Sequence, residues 1–197
     1  MGLIATNKWT IKFKNMTYIV GGKINNKAFI LVDKVVNDNP NESTDKLYNS
    51  ISNSDIYISL TGDGELMDFI KEYDSELNQN DEKLTIDKKF IEDITTRFLS
   101  KYSEDISKKT SLYIINIDDF IRVDINFDNH KFIDYQIIDF NNNEFSLCNS
   151  INKEICDINV SNIEDFSKFF IKKTFETVNS KYGFDDYFIN GFDYIEK

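Results

Sequence analysis

The chain has 197 residues, with 23 Lys plus Arg against 34 Asp plus Glu for a formal net charge of −11, and 41% of it is hydrophobic. That supplies one sizeable core and, at the usual domain size, one domain. The acidic balance lacks the basic footprint that nucleic acid or an anionic membrane requires, 14% aromatic residues argue against disorder, and no stretch approaches the roughly 18–20 apolar residues of a membrane span.

Taken in chain order, Trp9, Ile11 and Phe13 alternate with Thr10, Lys12 and Lys14, a period of two that predicts a short strand. Thr17–Lys23 and Ala28–Val36 are apolar and β-branched around Asn25-Asn26, which predicts a hairpin. Asn37–Asp45, with the sole proline, Pro40, reads as an open loop. Ile56–Leu60 is a strand punctuated by Thr61-Gly62-Asp63-Gly64. Leu66, Phe69, Ile70 and Tyr73 then recur at helical spacing. A second helix is expected over Asp87–Tyr102, with Phe90, Ile91, Ile94, Phe98 and Leu99 on one face. Strands follow at Ser111–Ile117, Phe120–Phe127 (after a turn at Asp118-Asp119), Phe132–Phe140 and Glu144–Cys148. A third helix is expected over Asn162–Tyr182, N-capped by Ser161 with Glu164 three residues on, and Tyr187–Ile195 closes as a strand. Strands and helices come in runs rather than alternating, so the fold class is α+β, helices layered on antiparallel sheets.

The residue types narrow the chemistry. One histidine, His130, withdraws zinc and Ser-His-Asp schemes. Cys148 and Cys156 form neither a disulfide framework nor a C-x-x-C pair, and no basic neighbour activates them. With no charged-then-apolar leader, a reducing cytoplasm is the expected compartment. Asp118, Asp119, Asp124 and Asp128 form no 12-residue calcium loop, and strand alternation scatters them, so they read as a solvated hairpin. No metal and no cofactor is expected. The remaining nucleophiles are Thr, Ser, Cys and Lys. Thr17 opens the first core strand, Asp33 ends the second, sixteen residues on, and Lys46 follows the polar loop. A threonine hydroxyl needs a base, and a free α-amine on the same residue serves when its pKa of about 7.7–8.0 lies near working pH. A lysine held by an aspartate lowers that pKa further. Each residue also has a plainer reading. Thr17 is then a strand threonine, Asp33 a strand-terminal acid, Lys46 a solvated lysine and Gly62 a turn glycine.

Thr17-Tyr18-Ile19-Val20-Gly21-Gly22, Leu31-Val32-Asp33 and Ser59-Leu60-Thr61-Gly62 resemble the β-type subunits of proteasomes and their bacterial relatives, which are N-terminal-nucleophile hydrolases. Met16-Thr17-Tyr18 is similar to the bacterial ancestral-β-subunit branch. Thr110–Ile115 and Phe188-Ile189-Asn190-Gly191-Phe192 are similar to the peptidase subunit of the bacterial two-component, ATPase-driven protease. The resemblance implies a four-layer αββα sandwich, two antiparallel sheets between helix layers, over residues 16–197, with 1–15 an extension or a mis-set start. It implies a threonine peptidase in which Thr17 is nucleophile, Asp33 and Lys46 tune its amine, the Gly62 amide binds the oxyanion and Asp186 gives support. It further implies a peptide or unfolded-protein substrate, a homo-oligomeric ring and an ATPase partner. Several departures stand against it, among them these. The region read as the family's serine turn is Asp139–Glu144, without a serine, and Met rather than Gly precedes Thr17. A catalytically silent subunit acting in assembly or binding is therefore the alternative, and a hydrolase of small amides a weaker third.

Overall fold

The computed structural model describes residues 19–24, 26–33, 35–36, 39–43, 46–102, 106, 108–117, 119–142, 144–147, 150–152 and 192–196. Trp9–Lys14, Met16, Thr17, the helix expected over 162–182, Cys148, Cys156 and Asp186 lie outside the described residues. The hairpin forms as its Asn pair predicts. Strands β1 (Ile19–Ile24) and β2 (Lys27–Asp33) pair antiparallel from Ile24 opposite Lys27. Asn26 turns the corner at φ 63°, a left-handed conformation that asparagine tolerates better than most residues.

The expected open loop over Asn37–Asp45 instead holds a strand. β3 (Val35–Val36) and β4 (Asn39–Ser43) make a two-stranded ribbon whose register slips between Val35 and Val36. Pro40 lies in that irregular stretch, where no regular ladder demands its missing N–H. β5 (Tyr48–Asn49), too short to show a period, pairs with β6 (Ile56–Thr61). The helices follow as α1 (Leu66–Gln79) and α2 (Lys88–Lys101). Asp87 caps α2, its Oδ1 accepting from the Phe90 amide at 2.9 Å. β7 (Lys109–Asn116), β8 (Asp119–Asp128) and β9 (Lys131–Asp139) form a meander. The β7–β8 turn falls one residue earlier than expected, because Asn116 pairs with Asp119 and Ile117 takes the left-handed conformation at φ 59°. Asn129 and His130, both at positive φ, make the next turn, and His130 is exposed. β10 (Glu144–Leu147), β11 (Ser150–Asn152) and β12 (Phe192–Glu196) complete the described strands.

These strands assemble into two antiparallel five-stranded sheets, ordered β11-β10-β1-β2-β12 and β5-β6-β7-β8-β9. Alternation assigns every side chain to a layer. Ile58, Leu60, Leu112, Ile114, Val123 and Ile125 face the helices and pack on Leu66, Phe69, Ile70, Phe90, Ile94 and Phe98. Tyr113, Ile115 and Phe120 face the other way, against Ile19, Ala28, Ile30 and Val32 of the first sheet. The outer face of that sheet carries Val20, Phe29, Leu31 and Phe145, all buried. The fold is thus α+β, with helix, sheet and sheet layers in succession. Strands covered on both faces read as continuous apolar runs, as Ala28–Val32 of β2 and Leu112–Ile115 of β7 do.

Candidate active site

Three contacts fix how the sheets lie on one another. Lys23 Nζ donates to Asp119 Oδ1 at 2.6 Å. The ring of Phe120 occupies the space that a side chain at Gly21 would need, within 2.3 Å of its Cβ position, so only glycine permits this approach. Ser146, the register partner of Gly21, accepts from Arg122 Nη1 at 2.7 Å. Contacts therefore run backward along β1 as they run forward along β8. The end of the sandwich where β1 begins is the end of Asp124, of Lys109 and of the last residues of β6.

The residues expected at the site are distributed as follows. Asp33 closes β2 opposite Phe192 of β12, and its side chain lies outside the described atoms. Lys46 lies two residues before β5, a strand of the second sheet, and its carbonyl accepts from Ser59 Oγ at 2.8 Å. Gly62 follows β6 directly, three residues beyond Ser59, at φ 106°. Lys46 and Gly62 thus share one end of β6. A Cβ on Gly62 would sit 2.6 Å from Thr110 Oγ1 and 2.9 Å from the Lys109 carbonyl oxygen, in a conformation that L side chains rarely adopt. The Asp63 amide donates to that same Thr110 Oγ1 at 3.2 Å. Gly62→Ala is expected to lower stability by about 2–3 kcal/mol through backbone strain and steric conflict, read as a shift of the urea midpoint.

Beside this turn the inter-sheet space holds charge. Arg122, 1% exposed, donates through Nη2 to Asp124 Oδ2 at 2.8 Å, and Lys109 Nζ reaches the same oxygen at 2.7 Å. Ser111 Oγ donates to Asp124 Oδ1 at 2.7 Å. Burial alone raises the Asp124 pKa, but the bonds from Lys109, Ser111 and Arg122 outweigh it and hold the carboxyl below its ordinary range. The Nε of Arg122 has no hydrogen-bond partner among the described residues. The reading of Asp124 as part of a solvated hairpin is therefore overturned, while Asp119 and Asp128 are indeed exposed. Asp118 lies outside the described residues. The signal that identifies the pair in the sequence is Arg122-x-Asp124, opposite charges two apart on one face of a strand whose intervening positions are apolar. Among the described residues no three His, Cys, Asp or Glu side chains gather in metal-binding geometry.

One further expectation is corrected by register. Lys23 pairs with Glu144 and Val20 with Leu147. Glu144 therefore lies at the Lys23 end of β1, remote from its first described residue, Ile19, and the 139–144 stretch leads into that far end. After Leu147, which pairs near the start of β1, the sequence reads Cys148-Asn149-Ser150 and so contains a serine. Of these, Ser150 opens β11 opposite Leu147.

No family model matches this chain, and no curated protein matches it. Among solved structures, the fold is similar to eukaryotic HslV from Trypanosoma brucei, at 12% identity and a TM-score of 0.49, covering 91% of this chain and 98% of that one. It is also similar to BPH from Thiobacillus denitrificans, solved in complex with epoxomicin, at 14% identity and a TM-score of 0.41, covering 66% of this chain and 70% of that one. At identities this low and TM-scores below 0.5, neither likeness speaks to the chemistry of this chain. Among the described residues no helix is long and apolar enough to cross a membrane.

Proposed function

We propose that this chain is a threonine-type peptidase of the proteasome-like N-terminal-nucleophile kind, with residues 16–197 as one domain and 1–15 an extension or a mis-set start. The observation that carries the reading is the shared end of β6. Gly62, at a φ of 106° that L side chains rarely adopt, follows that end directly, and Lys46 lies along the same end through its carbonyl, which accepts from Ser59 Oγ.

In this reading the Thr17 hydroxyl attacks a peptide carbonyl and its own free amine accepts the hydroxyl proton. Lys46, oriented by Asp33, keeps that amine unprotonated by charge repulsion, and the Gly62 amide stabilises the oxyanion. The leaving amine takes the proton as the acyl ester forms, and water then releases the second fragment and regenerates the hydroxyl. Asp186 supports the site. The substrate is a peptide or unfolded protein, the assembly a homo-oligomeric ring in the cytoplasm, and an ATPase the partner.

A second reading has one fact in its favour. Sixteen residues stand before Thr17, and an amine held in a peptide bond is no base. The chain is then a silent subunit serving assembly or binding. Intact-mass measurement and N-terminal sequencing of protein from its native host decide whether Thr17 is first. A chain so trimmed is then treated with an epoxyketone. The peptidase reading expects an adduct on Thr17 that Thr17→Ala abolishes, together with a loss of hydrolysis on the order of 10³-fold or more. An untrimmed chain, or a trimmed chain that takes no adduct, overturns the peptidase reading and supports the silent subunit.

A further inference from the structure

Among the described residues β9 is the last strand of the second sheet, and its nine residues make it the longest edge strand, the others having two to five. Both of its faces are already in use. Phe132 and Tyr135, with ring centroids 6.4 Å apart, pack against the helix-side core, and Ile138 packs against the inter-sheet core. Two apolar side chains belong to neither core, Ile133 at 55% exposure and Ile137 at 39%. Ile133 is the extra residue of a bulge, since Asn126 pairs with Asp134 but Phe127 with Phe132. Edge strands are ordinarily blunted by brevity, proline or a run of charge. β9 is long, has no proline, and carries charge only at Lys131, Asp134 and Asp139. Asp134 is already engaged, its Oδ1 accepting from Asn126 Nδ2 at 2.6 Å. Only a strand added along the edge buries Ile133 and Ile137 further.

The residue order of β9 selects that strand. Outward from Tyr135 it runs Asp134, Ile133, Phe132, Lys131 in one direction and Gln136, Ile137, Ile138, Asp139 in the other. Both directions read polar, apolar, apolar, charged, and the two terminal charges are opposite. A second copy laid antiparallel, with Tyr135 facing its counterpart, sets Asp134 opposite Gln136 and Ile133 beside Ile137. It also brings the Lys131 end of each strand to Asp139 of the other. The adjacent registers are worse. One sets Asp134 opposite its own copy, and the other sets Asp134 opposite Ile138 and Ile133 opposite Asp139. We infer that two copies of this chain pair through β9, antiparallel about a two-fold axis at Tyr135, so that their second sheets join into one. Main-chain hydrogen bonds hold such an edge, and the alternate side chains set its register. The contact is isologous, whereas a ring closes through heterologous contacts. It therefore joins chains in pairs whether or not they also form rings, and stands apart from the peptidase reading.

The test uses the full chain with Cys148 and Cys156 replaced by Ser. Opposed Cα atoms of an antiparallel pair lie about 4.5–5.5 Å apart, within the span of a disulfide. Tyr135→Cys is therefore expected to give a covalent dimer on a non-reducing gel after mild oxidation. Gln136→Cys, whose two copies are offset along the strands, is expected to give little. Sedimentation reads the charge arm. Lys131→Asp, which sets like charges together, is expected to raise the concentration at which the assembly separates into halves by roughly tenfold. Lys131→Asp with Asp139→Lys is expected to restore it, and Lys83→Asp, at an exposed position off β9, to leave it unchanged. Urea midpoints confirm that each variant folds. A wild-type chain that stays single, its edge then open to a strand of another protein, overturns the inference. So does a dimer linked through residue 136 rather than 135, or a folded charge swap that restores nothing.

Discussion

Asp124→Ala is expected to destabilise the fold by about 3–5 kcal/mol, because it leaves the Arg122 guanidinium buried between two sheets with no anion. At this chain length that corresponds to a fall in melting temperature on the order of 10 °C. The cost comes chiefly from desolvation rather than from the lost attraction. Arg122 is 1% exposed, retains only Ser146 as a named acceptor, and already has an unpartnered Nε. Lys109, half exposed, can turn into water when Asp124 is gone, so it adds little to the loss. This gives the prediction a second arm. Replacing the buried pair together, Arg122→Met with Asp124→Leu, is expected to recover most of the stability, since apolar residues of similar volume need no compensation. Thermal melts of the single and double variants read both arms.

Asp74→Ala is the second large effect, expected at about 3–4 kcal/mol in urea denaturation. Asp74 lies on α1, fully buried, and holds the segment from β5 to the start of β6 against that helix. Its Oδ2 accepts from Tyr48 Oη at 2.6 Å and from the Ile51 amide at 2.7 Å. Its Oδ1 accepts from Ser50 Oγ at 2.9 Å, from the Ser52 amide at 3.3 Å and from the Ser52 hydroxyl. Removing one carboxylate thus strands several donors, and each costs more unpaired than it contributed paired. Asp74→Asn is expected to be harmful too, because an amide nitrogen in that position faces donors with a donor. The network also shapes its members' titration. Burial first, then the bond to Asp74, pushes the Tyr48 phenol up. Burial alone raises the Asp74 pKa, but bonds from Ser52, Tyr48, the Ile51 amide and Ser50 outweigh it and hold the carboxyl below its ordinary range.

Asp74 and Asp124 therefore act alike toward acid. Both are depressed in the fold relative to an unfolded aspartate at about 3.9. Their stabilisation is complete above that value and is lost as pH falls through their lower folded values. Stability is expected to drop steeply below about pH 4, and less steeply in Asp74→Asn or Asp124→Asn, whose neutral side chains have no such contribution left to lose. Urea midpoints across pH 2.5 to 6 measure the difference.

The sequence by itself determined the elements whose signals are local. Asn25-Asn26 marks the β1–β2 hairpin because the turn needs a residue that tolerates positive φ. Asp87 marks the start of α2 because a carboxylate there meets an orphan amide. The spacing of Leu66, Phe69, Ile70 and Tyr73 marks α1 because one face must be buried. Gly62 was legible as punctuation for the same backbone reason. Only the tertiary structure decided how these elements meet. Strands β5 and β4 were too short or too irregular to show a period and exist through their partners. Register, which no single strand encodes, put Glu144 opposite Lys23, at the end of β1 away from its start, and Leu147 opposite Val20. The buried charges were the least legible. A strand that alternates Arg122, Val123, Asp124 and Ile125 looks half-solvated until a second sheet covers its polar side, since burial is a property of two surfaces and not of one.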